Sequence, residues 1–82
     1  MDHIARTPTQ IGAVLRRFRR QASLSQTEVG DRVSMRQPTV SKLEAGEPAT
    51  QLRVLTDILA ALELELVIRP RTSASDWSNE DA

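Results

Sequence analysis

Eighty-two residues make one domain, near the lower limit of what a single apolar core holds together without help from a second subunit. Cysteine is absent and histidine occurs once, at His3, which excludes disulfide scaffolds, thiolate metal sites and cysteine nucleophiles, so neither a metal nor another cofactor is expected. The formal net charge is zero, but residues 1–42 hold eight Lys and Arg against three acids while residues 43–82 hold three against eight, so a basic half can face phosphates with an acidic half turned away.

Residues 1–8 read as an N-terminal arm. It has neither the basic nor the apolar region of a signal peptide, and no apolar run in the chain approaches the length that spans a bilayer, so a cytoplasmic protein is expected. Ile11, Val14, Leu15 and Phe18 then recur at helical spacing and predict a first helix over 9–22, capped by Thr7 or Thr9, with Pro8 near its start. Arg16, Arg17, Arg19 and Arg20 crowd its C-terminal part, where positive charge suits the helix dipole.

Ser25 and Glu28 form an S-x-x-E capping box that opens a second, short helix over 26–33, with Val29 and Val33 facing inward and Leu24 packing ahead of it. The pattern breaks at Ser34, Met35 and Arg36. Pro38 is tolerated only in the first turn of a new helix, so a third helix is expected over 37–44, burying Val40 and Leu43, with Gly46 and Pro48 ending it. Thr50 is the expected cap of a fourth helix, whose stripe Leu52, Leu55, Ile58, Leu59 and Leu62 is the strongest in the chain. The period then changes to two: Leu64, Leu66 and Ile68 alternate with Glu65, Val67 and Arg69 up to Pro70, which predicts a single strand over 64–70. Residues 71–82 are small, polar and acidic and read as a flexible tail.

The second and third helices, joined by a tight turn, are the arrangement that inserts one helix into the DNA major groove. With Val40 and Leu43 inward, the helical period leaves Gln37, Pro38, Ser41, Lys42 and Ala45 on the outer face, with Arg36 at its edge. Gln37 is the candidate base reader, since its amide both donates and accepts as the adenine edge requires. Arg36 suits guanine or a phosphate, Ser41 suits base or backbone, and Pro38 lies beside them. Gln26, Thr39 and Lys42 are the candidate phosphate contacts, which position the module without reading sequence. Gly30 is small enough for a close approach of the two helices. Two aromatic residues, Phe18 and Trp77, are too few to stack single-stranded bases, so the expected partner is double-stranded DNA. No residue set can act as nucleophile and base together, so catalysis is not expected.

A lone strand leaves its backbone polar groups unpaired, and antiparallel pairing of Leu64, Leu66 and Ile68 with a second copy would satisfy both, so a homodimer on a palindromic operator is expected. Trp77 has no intramolecular core to join and is a candidate partner anchor.

Residues 25–46, SQTEVGDRVSMRQPTVSKLEAG, resemble the Cro/C1-type (Xre) helix-turn-helix family in their S-Q start and their V-S-x-x-E-x-G close, and the likeness extends over about residues 9–62. The implied fold is an all-α, lambda repressor-like bundle of four to five helices over 9–63, with one C-terminal strand that pairs across a homodimer. Ser34 stands where that family usually has a left-handed glycine, a conformation that costs serine about 1 kcal/mol. From Thr7 to Ile68 the chain is similar to HipB-type antitoxins, through its TPTQ opening, its RQPTVS helix start and its LELEL close. That resemblance implies a dimer whose strands pair, repression of its own operon, a HipA-type kinase toxin as partner and a protease-sensitive tail, some relatives carrying a late tryptophan. A stand-alone Xre-type regulator, and an interaction adaptor that keeps the fold without binding DNA, are the alternatives the sequence leaves open.

Overall fold

A computed structural model describes residues 2–71 of the chain. Among them are four helices, α1 (Pro8–Gln21), α2 (Gln26–Asp31), α3 (Gln37–Glu44) and α4 (Leu52–Ala61), packed around one core. Leu15, Val29, Val40 and Ile58 are the most deeply buried large side chains, one from each helix, and Leu43 and Ala61 complete the centre. Each such side chain withdrawn from water contributes about 1.5–3 kcal/mol, so the core depends on all four helices at once.

Helix α1 begins as its residues require. Thr7 is the cap, its hydroxyl accepting from the Gln10 backbone N–H at 3.1 Å, and Pro8 occupies the first turn, where no amide hydrogen is needed. Phe18 is only half-buried and meets the His3 ring edge-on at 5.1 Å between centroids, which ties the N-terminal arm to α1.

Three details differ from the sequence expectation. Helix α2 ends at Asp31, because the Val33 and Met35 amides both turn back to the Gly30 carbonyl and tighten the chain out of its helical path. Thr50 does not cap α4: Gln51 holds the cap position without a side-chain bond, and the Thr50 hydroxyl donates to the Glu47 carbonyl at 2.9 Å, closing the preceding turn. Leu52, placed in the apolar stripe by its spacing, lies in the first turn of α4 and is 74% exposed, beyond the edge of the core. At the other end of α4 the Arg32 side chain donates to the Ala61 carbonyl at 3.0 Å, and Glu63 turns the backbone at φ 58°.

Residues 64–71 contain no hydrogen-bonded ladder in this single chain. Leu64 packs on the core and its amide donates to the Leu59 carbonyl, but Leu66 is 58% and Ile68 91% exposed. No described helix is long and apolar enough to cross a membrane.

Candidate nucleic-acid interface

Helices α2 and α3 are set against each other by local chemistry. The capping box of α2 is complete: the Ser25 hydroxyl accepts from the Glu28 amide at 3.0 Å and the Glu28 carboxylate accepts from the Ser25 amide at 2.7 Å. Hydrogen bonding to Ser25 holds the Glu28 carboxyl below its usual range. Gly30 then permits the turn. A side chain there would collide with the Met35 carbonyl oxygen, so the close approach is to the turn itself, with the Val40 side chain behind it at 3.4 Å. Ser34 adopts φ 56°, the left-handed conformation that the resemblance implied for this position.

Helix α3 is held from beneath by Val40 and Leu43, 1% and 5% exposed. Gln37, Pro38, Lys42 and Ala45 are exposed, and Thr39 and Ser41 are half-buried. Arg36 is exposed and occupies the cap position with no side-chain bond to the helix, so its guanidinium is not used by the cap. Gln37, Pro38, Lys42 and Ala45 of the predicted row therefore share one outward surface, with Ser41 partly covered among them.

Gln26, a candidate phosphate contact at the start of α2, is already engaged within the chain. It is half-buried, its amide nitrogen donates to the Glu44 carboxylate at 3.1 Å, and its amide oxygen accepts from Gln37 at 2.5 Å. Glu44 is in turn gripped by Arg19 in a two-pronged ion pair of 2.6 and 2.9 Å, while Arg19 also donates to the Leu24 carbonyl at 2.8 Å. Burial pushes the Glu44 carboxyl up, but hydrogen bonds from Arg19 and Gln26 outweigh it and hold the group below its ordinary value; the bond to Glu44 raises Arg19. A continuous polar chain, Arg19 to Glu44 to Gln26 to Gln37, thus runs from the core to the outer face of α3.

Sequence reasoning missed both Arg19 and Glu44. The signal was present: Arg19 lies one turn beyond Leu15 on the buried stripe and is only 9% exposed, a place where arginine requires an acid. Glu44 lies one turn beyond Val40 on α3. Among the proposed strand residues, Leu64 is near the core and Leu66 and Ile68 face outward. Trp77 lies outside the described residues.

The comparisons with known proteins agree with this geometry. Residues 10–71 match the family model described as a helix-turn-helix domain. The antitoxin HipB of Escherichia coli K12 is 30% identical over 74 residues, which cover 90% of this chain and 84% of that protein. HipB from E. coli O6:H1 is 29% identical over the same length. Among solved structures, HipB in a HipA-HipB-O2-O3 complex superposes with a TM-score of 0.78 at 26% identity, covering 83% of this chain and 96% of that one. A HipB-O4 20mer complex gives a TM-score of 0.79 with the same identity and coverage. With the helix-turn-helix pair intact and these likenesses spanning nearly its whole length, the chain belongs to the HipB-type antitoxins of the helix-turn-helix family.

Proposed function

We propose that two copies of this chain form a sequence-specific repressor of double-stranded DNA, which regulates its own operon and serves as the antitoxin of a HipA-type kinase toxin. The observation that carries the DNA reading is the outward row on α3, with Gln37 tied through Gln26 to a buried ion pair. Gln37 spends one of its two N–H donors on Gln26 and keeps the other, together with its carbonyl acceptor, for the N6/N7 edge of adenine. It is held in place before DNA arrives, so less freedom is lost on binding. Arg36, Pro38 and Ser41 complete the base-reading set, and Lys42, Thr39 and Gln26 take phosphates.

Residues 64–70 supply the dimer. The exposure of Leu66 and Ile68, beside a cleft formed by the N-terminal arm and residues 63–71 with α1 and α4, supports antiparallel pairing with a second copy that covers the apolar side chains and satisfies the backbone. The kinase partner is supported by the resemblance to HipB, which has been solved in complex with HipA.

The test is a gel-shift and footprinting titration against DNA from immediately upstream of the chain's own gene at two salt concentrations. Two protected half-sites about one helical turn apart, bound more weakly at the higher salt, are expected. Absence of any complex would favour the adaptor alternative.

A further inference from the structure

We infer that Arg16 and Arg20, on the outer side of α1, form a backbone-phosphate site alongside α3 that extends the DNA contact beyond the helix-turn-helix; the inference rests on the DNA-binding reading above. Around α1 these two residues follow the buried positions Gly12 and Arg19, one turn apart from each other, and with Thr9 and Ala13 they line a shallow groove. The far wall of that groove is Glu44 and Ala45, the C-terminal end of α3. The arginines therefore stand next to the C-terminal end of the helix proposed to enter the groove of DNA.

Both guanidiniums are exposed, and neither forms a hydrogen bond or ion pair among the described residues. The acid nearest to hand does not absorb them. Glu44 feels the charge of Arg16, but it already accepts both prongs of Arg19 and a bond from Gln26, so it forms no ion pair with Arg16 or Arg20 and much of their positive field is left directed at solvent. Like charges one turn apart disfavour an isolated helix, and a phosphate between them converts that repulsion into attraction. Arg17 lies further round α1 and adds to the same field. Duplex DNA fits this site because its phosphates recur along a rigid path and can meet α1 and α3 together.

The inference is tested by measuring affinity against salt for wild type, the R16Q/R20Q double variant and the R16K/R20K double variant. Two duplexes of equal length are used: the DNA upstream of the chain's own gene and a scrambled version of it. Each lost phosphate contact lowers the slope of log affinity against log salt by about 0.9. The glutamine variant is expected to lose about two from the slope and about tenfold or more in affinity, equally on both duplexes, with lysine restoring most of the loss. A wild-type complex with an unchanged slope in the glutamine variant would overturn the arginine site and leave the DNA reading standing. So would a loss confined to the upstream duplex, which would mark base reading. Failure of wild type to bind either duplex would sink the DNA reading itself.

Discussion

Glu44 is held ionised against the pull of its own burial. Its ordinary value is 4.5, and hydrogen bonds from Arg19 and Gln26 bring it lower. A carboxyl whose value is lower in the folded chain than in the unfolded one stabilises the fold above the unfolded value, and that stabilisation is lost as pH falls through the folded value. Unfolding by denaturant should therefore become easier as pH drops below about 4.5, and Glu44→Gln should show a flatter profile across that window. At neutral pH, Glu44→Ala is expected to cost about 3 kcal/mol, because it leaves the Arg19 charge buried and unanswered. An R19M/E44L double variant should recover much of that loss; if it is as unstable as the single change, the ion pair is not the cause. Ser34 is a smaller matter of the same scale. Its positive φ predicts that Ser34→Gly raises stability by about 0.5–1 kcal/mol in the same denaturation assay.

Between elements, α1 and α3 meet backbone to backbone at Gly12. A side chain at Gly12 would approach the carbonyl oxygens of Glu44 and Leu43 to 2.5 and 2.6 Å, a contact with backbone that has no easy way to yield. Gly12→Ala should therefore cost about 1–3 kcal/mol and, by displacing α3, weaken DNA binding as well; thermal unfolding and a gel shift on one preparation check both. The order of the helices and the start of α1, α2 and α3 were readable from periodicity and caps, because each helix announces its buried face through residues three and four apart, whereas the end of α2 and the cap of α4 were not. Thr7, Ser25 and Pro8 sit where local chemistry predicts. The outer face of α3 was readable for the same reason, once Val40 and Leu43 are set inward. Arg19 and Glu44 were not, since they lie 25 residues apart and meet only through tertiary packing. The partners of Gln26 were hidden on the same ground: its amide is engaged by groups from α3, which the spacing within α2 does not disclose. Thr50 shows the limit of cap signals, because a competing bond to Glu47 in the preceding turn claims its hydroxyl.

At the scale of the whole molecule, two surfaces divide the work. The basic half carries α1 to α3, and the acidic half carries α4 and the C-terminal segment, so the field that attracts DNA and the segment proposed to pair two subunits are separated along the chain. Because Leu66 and Ile68 are exposed in one chain, an L66E/I68E variant should leave the helical fold intact yet sediment as a monomer at concentrations where wild type sediments as a dimer. A dimeric double variant would place the pairing surface elsewhere. The account rests most heavily on Gln37 as a reader of sequence, with Lys42 as a phosphate contact on the same helix. The direct measurement compares the affinities of wild type, Gln37→Ala and Lys42→Ala for upstream and scrambled duplexes. Gln37→Ala should lose about 1–3 kcal/mol of discrimination between the two, whereas Lys42→Ala should weaken both alike and reduce the salt slope by about one. Full discrimination retained by Gln37→Ala would contradict the account.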